Sequence, residues 1–189
     1  MSDQPPWPLL CASLTSLWLS ACGPALLRPE QREEPAQALR AQAERLIDSK
    51  SLDGAPISST ELILALYRSH LRLKDRVPLS ITSRGLRGLG LRRSGVPRRG
   101  DLLIFKDSPH TLDAAVILEV KGSQAIKAVG VLRGAPRVIY LHLSQRDLRR
   151  VEGEVINSYV RAATEGPNGE LLQGGYLAGE LLVDVRALF

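Results

Sequence analysis

Four short apolar runs, each bounded by turn residues, follow one another between residues 102 and 143. These runs are LLIF, AAVILEV, AIKAVGVL and RVIYLHL, and they are rich in β-branched side chains. The turns between them contain Ser108-Pro109, Lys121-Gly122-Ser123 and Gly134-Ala135-Pro136. Because such runs with short connections are typical of neighbouring strands, the pattern predicts an antiparallel meander of about four strands.

Two stretches with helical spacing precede these strands. The first covers residues 36–49, and the second starts near Ser58 and places Leu62, Ile63, Leu66 and Tyr67 on one side. Helices followed by a meander predict an α+β fold, with N-terminal helices packed on a small antiparallel sheet of about four to five strands. A further apolar segment, YLAGELLVDVRALF, follows a polar loop at residues 164–169.

Both cysteines of the chain, Cys11 and Cys22, lie at its N-terminal end. An apolar run over residues 7–19 is shorter than the ~20 residues that cross a bilayer, and it leads to Leu-Ser-Ala directly before Cys22. This order resembles a bacterial lipoprotein signal, although the first eight residues hold no Lys or Arg. The resemblance implies a signal peptide over 1–21, a tether over 22–35, lipid on Cys22 and a globular domain over 36–189. An ordinary buried N-terminal segment is the alternative.

The globular part contains no cysteine, and this absence excludes several kinds of chemistry there. An internal disulfide, a thiolate nucleophile and a cysteine-ligated zinc are all ruled out. The three histidines, His70, His110 and His142, have no metal-site spacing, so we expect neither a metal nor another cofactor. His70 is predicted to lie late in the second helix, out of reach of its start, and His142 to face solvent.

The segment 58–143 resembles the NlpC-type papain-like cell-wall peptidases and the related CHAP amidases. In those families Asp-Cys-Ser-Gly and two apolar residues open the central helix. Here Thr60 matches the Ser, Leu62 and Ile63 match the apolar pair, and Tyr67 matches a common aromatic. VPRRGDLLIF over residues 96–105 resembles the families' Gly-Asp strand, and residues 114–120 resemble the strand after the catalytic histidine. The resemblance implies a papain-like, NlpC/CHAP-like fold.

The same comparison puts different residue types at every reactive position. Ser59 takes the place of the nucleophilic cysteine, Asp113 that of the catalytic histidine, and Gly130, within about two residues, that of the third polar residue. A serine nucleophile needs a general base within about 2.6–3.2 Å. A carboxylate, whose pKa is ordinarily near 4, is a poor base for an alcohol. The resemblance therefore implies that cysteine-type hydrolysis has been lost.

The start of the second helix also has a purely structural interpretation. Ser58-x-x-Glu61 forms a capping box, in which a hydroxyl and a carboxylate each accept a hydrogen bond from a free backbone N–H group. We favour this interpretation over a repurposed serine nucleophile, Ser59 paired with His110, and over a ligand contact at Ser58.

The chain carries a net charge of +5, and seven arginines lie between residues 76 and 99. Such residues can bind an anionic wall polymer or lipid headgroups, so Arg98 and Arg99 join Ser58 as candidate ligand contacts. A solvated charged loop is the alternative. We do not expect nucleic-acid binding, because no stacking aromatics accompany the arginines and the export signal separates the chain from nucleic acid.

Together these features predict a membrane-anchored lipoprotein of a bacterial cell envelope, exported and attached through lipid on Cys22. Its catalytically inactive domain would bind or scaffold peptidoglycan or another envelope protein. One alternative is a serine-dependent cell-wall amidase or peptidase that uses Ser59 and His110. Another is a small exported α+β module of unrelated fold, in which Ser59 and Asp113 would lie far apart.

Overall fold

The protein is described by a computed structural model over residues 27–48, 58–106, 112–132, 134–160 and 177–189. Over these ranges it is a mixed α+β protein built on a six-stranded antiparallel sheet. The helices are α1 (Glu33–Asp48), α2 (Ser59–Arg68) and α3 (Ala178–Leu181), with 3₁₀ turns at Pro29–Gln31, Lys74–Arg76 and Arg84–Gly88. The strands are β1 (Leu91–Arg92), β2 (Leu102–Lys106), β3 (Leu112–Lys121), β4 (Ala125–Leu132), β5 (Ala135–His142), β6 (Arg150–Val151), β7 (Glu154–Val155) and β8 (Leu182–Ala187).

The strand order in the large sheet is β1-β8-β2-β3-β4-β5, and β6 and β7 form a separate pair. The four predicted strands are therefore confirmed as β2 to β5, but the predicted total of four to five is too low. The additional strands are β8, which pairs with β2 through Leu102 and Arg186, and β1, which pairs with the other edge of β8. Neither addition is a neighbour in sequence of the strand it joins, so the local pattern could not reveal the pairing.

The LLIF run is uniformly apolar because both faces of β2 are buried. Leu102 and Ile104 point into a first core beneath α1 and α2, whereas Leu103 and Phe105 point into a second core on the opposite face of the sheet. Ala178 of α3 contributes to that second core. The N-terminal helices thus pack on one face as predicted, and α3 packs against the other, whereas Leu188 and Phe189 return to the first core.

Helix α1 begins at Glu33, three residues before the predicted start at 36. Pro35 is compatible with this start because proline is tolerated in the first turn of a helix. The predicted tether over 22–35 is also too long at its C-terminal end. Residues 29–31 form a 3₁₀ turn, and Leu27 packs against the first core.

Helix α2 links the two ends of the sheet. Its C-terminal end is held at the start of β2, where the Tyr67 hydroxyl donates a hydrogen bond to the carbonyl oxygen of Gly100. Gly100 has a φ of +81°, and a Cβ atom there would lie 2.2 Å from the Phe189 ring, so the position requires glycine. Its N-terminal end lies at the opposite end of the sheet, where β2 ends and β3 begins. We call the end of the sheet where β2 begins the basic end, and the end where β2 stops and β3 begins the cleft end.

Candidate functional site

The first turn of α2 is capped as predicted. The Ser58 hydroxyl accepts a 3.3 Å hydrogen bond from the Glu61 N–H, and the Glu61 carboxylate accepts one of 2.8 Å from the Ser58 N–H. Ser58 also exchanges a 2.9 Å hydrogen bond with the Thr60 hydroxyl. The predicted capping box is confirmed, and it occupies the Ser58 side chain, which was also a candidate ligand contact.

Ser59 points inward and is 95% buried, with 5% of its surface exposed. Its hydroxyl donates a 2.8 Å hydrogen bond to Oδ1 of Asp113, a residue 54 positions later in the chain. Asp113 is the second residue of β3 and pairs with Phe105 across the sheet. The separation expected for an unrelated fold is therefore not observed, because the two side chains are in direct contact.

The Ser59 hydroxyl donates its hydrogen to the carboxylate, and this bond does not activate the serine oxygen as a nucleophile. Carboxylates are poor general bases for an alcohol, and the described residues place no imidazole beside Ser59. His70 lies beyond the end of α2, not within it as predicted, and its Nε2 is 3.1 Å from the Glu34 carboxylate. His142 lies on β5 and is half-buried, not solvent-exposed as predicted, and its Nδ1 accepts a 3.2 Å hydrogen bond from the Gln145 N–H.

His110 lies outside the described residues, so the alternative pair of Ser59 and His110 remains a prediction. The signal peptide and Cys22 also lie outside them. Within the described ranges, no cluster of His, Cys, Asp and Glu side chains could hold a metal ion. None of the helices described is both long and apolar enough to cross a membrane.

Gly130, the predicted third position, lies on β4 opposite Ala115. A Cβ atom at this glycine would lie 2.5 Å from Cδ1 of Ile139 and 3.2 Å from Cβ of Ala115. The glycine is therefore explained by close packing in the second core. Leu132, two residues further along β4, lines the same pocket as Asp113 and is apolar, so a shift of two residues also gives no polar side chain at the third position.

A small surface pocket, which we call the cavity, opens to solvent beside Asp113 at the cleft end. Its described wall is mostly apolar, and Asp113 and Lys106 are its charged members. We did not predict Lys106 from the sequence, although its place at the last position of the LLIFK strand was a usable signal. The remaining lining residues are Phe105, Ala114, Val131, Leu132, Ile139, Val160 and Leu181.

Arg98 and Arg99 do not reach this cavity, contrary to their grouping with Ser58 as ligand contacts. They precede β2, at the basic end, whereas Asp113 pairs with the last part of that strand. The Arg99 guanidinium donates 3.0 Å hydrogen bonds to the Leu118 carbonyl oxygen and to the Glu33 carboxylate, so it joins β3 to α1. Arg99 is therefore structural.

The basic end is organised around one buried carboxylate, that of Asp101, which the sequence shows as the Asp of Gly-Asp. Arg93 donates two hydrogen bonds to it, of 2.6 and 2.8 Å, and the Arg98 N–H donates one of 2.8 Å. Burial raises the pKa of Asp101, and the bonds from Arg93 and Arg98 partly offset that rise. Burial, followed by the nearby guanidiniums of Arg93 and Arg98, lowers the pKa of Arg32.

The described residues define an α+β protein with a six-stranded antiparallel sheet and a polar contact between the start of a helix and a central strand. Comparison of the chain with protein-family models, with curated proteins and with solved structures finds no match. The NlpC and CHAP resemblance therefore depends on the residues quoted above.

Proposed function

We propose that the protein is a lipid-anchored cell-envelope protein whose domain has a papain-like, NlpC/CHAP-like fold and binds its ligand without hydrolysing it. The hydrogen bond between Ser59 and Asp113 carries this proposal. In a cysteine hydrolase of this type, the nucleophile at a helix start and the histidine on a strand must be within hydrogen-bond distance. The residues at the two matching positions have that relation here, with side chains unable to perform the chemistry.

The cavity beside Asp113 supports a binding role. It combines one carboxylate, Asp113, and one ammonium group, Lys106, with apolar walls. Such a set suits a ligand with an amino group, a carboxylate and a short apolar part, because each charged group then has an opposite charge to bind. The peptide stem of peptidoglycan has this chemistry, as does a segment of another envelope protein, and we favour the peptide stem.

Titration of the purified full chain with soluble muropeptides tests the proposal, with calorimetry for binding and mass spectrometry for cleavage. We expect binding without cleavage. Lys106→Ala should weaken binding about tenfold or more, since a charge-assisted hydrogen bond contributes about 1.5–3 kcal/mol. Lys121→Ala is the matched control: this exposed lysine ends β3, far from the cavity. Equal affinities for the two variants would contradict a ligand site in this cavity.

Experiments with the same purified protein and muropeptides distinguish this proposal from a serine hydrolase. Cleavage of muropeptides that Ser59→Ala abolishes would overturn the non-catalytic role. Labelling of Ser59 by a fluorophosphonate probe, lost in His110→Ala, would select the serine-dependent amidase or peptidase instead. The anchor is tested separately: cells should incorporate labelled palmitate into the protein, and Cys22→Ser should abolish that incorporation.

A further inference from the structure

Positive charge is concentrated in one part of the chain, residues 68–99, which we call the basic segment. It contains ten basic residues and one acidic residue, a net charge of +9. The rest of the chain contains 15 basic and 19 acidic residues, a net charge of −4. The net positive charge of the whole protein therefore comes entirely from this segment.

Three contacts place parts of the basic segment at the basic end of the molecule. Arg76 donates a 3.1 Å hydrogen bond to the Leu188 carbonyl oxygen, and Arg93 is paired with Asp101 just before β2. β1 lies beside the C-terminal part of β8, with Leu91 opposite Ala187. By contrast, Ser59 is nine residues from the C-terminal end of α2, or about 14 Å along the helix axis.

Several cations of this segment are available to a partner. Arg93 and Arg99 are committed to Asp101 and Glu33. Four other basic side chains are exposed and have no ion-pair partner among the residues that the structure describes. They are Lys74, Arg84, Arg87 and Arg98.

Exposed apolar side chains accompany these cations. Leu71 and Leu79 are 81% and 78% exposed, which makes them the most exposed large apolar residues described. Leu91 and Val96 follow at 59% and 53%. The sequence from 68 to 99 contains no Phe, Trp or Tyr. Leucines among arginines suit the interface of an anionic bilayer, where apolar side chains enter the headgroup region and cations stay at its surface. Nucleic-acid binding would instead favour stacking aromatics.

The described chain also begins at this end. Arg32 donates a 2.6 Å hydrogen bond to the Leu27 carbonyl oxygen, and its guanidinium lies near those of Arg93 and Arg98. Cys22 is five residues before Leu27, so it lies within about 18 Å of it even if that stretch is fully extended. A lipid on Cys22 and the basic segment can therefore reach the same membrane surface.

We propose that the basic segment docks on an anionic phospholipid surface and holds the cleft end away from the membrane. The biological setting of this inference rests on the proposed lipid anchor, but its test does not. Asp113 and Lys106 would then face the space beyond the bilayer, where a cell-wall ligand is found. Docking would restrict the rotation of the described domain about its lipid attachment.

Vesicle binding by the full chain tests this proposal. Cys22→Ser is the background, so that no lipid is attached, and vesicles with phosphatidylglycerol are compared with vesicles of pure phosphatidylcholine. The apolar run at residues 7–19 is present throughout, so the difference between the two lipids isolates the charge-dependent part. We expect Arg84→Gln with Arg87→Gln to weaken binding to the anionic vesicles about tenfold to 30-fold. The matched control, Arg137→Gln with Arg150→Gln, removes the same charge outside the segment and should change binding less than about twofold.

Two further readouts identify the surface and its orientation. Leu79→Ser should weaken anionic-vesicle binding, whereas an interaction with RNA or with a soluble acidic polymer would not depend on this leucine. In a background with Cys11→Ser and Cys22→Ser, a fluorophore on Leu79→Cys should be quenched by brominated lipids and one on Lys106→Cys should not. Equal loss in the two double variants, or equal quenching at both positions, would overturn the proposal.

Two variants distinguish failure of the proposed ligand site from failure of the proposed membrane docking. Lys106→Ala should weaken muropeptide binding and leave vesicle binding unchanged, and the Arg84 and Arg87 variant should do the reverse. If muropeptides do not bind but the vesicle contrast persists, only the proposed function fails.

Discussion

The Ser59 hydroxyl donates a 2.8 Å hydrogen bond to the Asp113 carboxylate and so connects the start of α2 to the start of β3. We expect this bond to contribute to stability, because Ser59 is buried and Asp113 is half-buried. Ser59→Ala should lower the free energy of unfolding by about 1.5–3 kcal/mol, as for a hydrogen bond to a charged group. A double-mutant cycle with Asp113→Ala, measured by urea unfolding, should give a coupling energy of similar size. Additive effects would mean that the two side chains do not interact in solution.

The capping box at the start of α2 gives a second prediction. Ser58→Ala should lower the free energy of unfolding by about 1 kcal/mol, because one orphan N–H group of the first turn loses its acceptor. Thr60→Ala is the matched control, since the Thr60 hydroxyl bonds to the Ser58 hydroxyl and the backbone bonds of the capping box do not involve it, so this change should cost less. Chemical denaturation of the two variants compares them directly.

Gly130 should be required for packing. Gly130→Ala would put a Cβ atom 2.5 Å from Cδ1 of Ile139, and overpacking of this kind costs about 1–3 kcal/mol. Ile139→Val removes that Cδ1 atom, so the double variant should recover part of the lost stability in thermal unfolding. No recovery would mean that the backbone of β4, and not the isoleucine, rejects the added methyl group.

The buried carboxylate at the basic end predicts a pH dependence with a definite sign. Since burial raises the pKa of Asp101 above its ordinary value of 3.8, the folded protein holds this proton more tightly than the unfolded chain does. The stabilising contribution is present below the unfolded pKa and is lost as pH rises through the folded pKa. The stability of the wild type relative to Asp101→Asn should therefore fall over that interval in urea unfolding. A relative stability that increases with pH would show that the bonds from Arg93 outweigh burial.

Introducing the two reactive side chains of a cysteine hydrolase at positions 59 and 113 tests the resemblance to that class. In a background with Cys11→Ser and Cys22→Ser, Ser59→Cys with Asp113→His should yield a thiol of lowered pKa, since a helix start and an imidazole both favour the thiolate. Alkylation by iodoacetamide below neutral pH should be about tenfold faster than in Ser59→Cys alone. Thr60→Cys with Asp113→His is the control, and equal rates for the two cysteines would contradict a papain-like geometry.

Local patterns were sufficient to predict β2 to β5, α2 and its cap. Each of these depends on contacts within a few residues: alternating burial, turn residues between strands, and a hydroxyl three positions before a carboxylate. The long-range features were not predictable in this way. Insertion of β8 beside β2 depends on two strands about 80 residues apart, and the roles of Arg99 and Lys106 depend on which end of the sheet each occupies.

The sequence by itself determined the α+β class, the absence of cysteine from the globular part and the concentration of positive charge in one segment, because these follow from residue type and spacing. Only the tertiary structure decided that Ser59 touches Asp113, that Gly130 is a packing position and that Arg93, Arg98 and Arg99 lie at the end opposite the cleft. Such relations depend on packing between segments that are distant in sequence but share one sheet. Local sequence patterns contain no information about that packing.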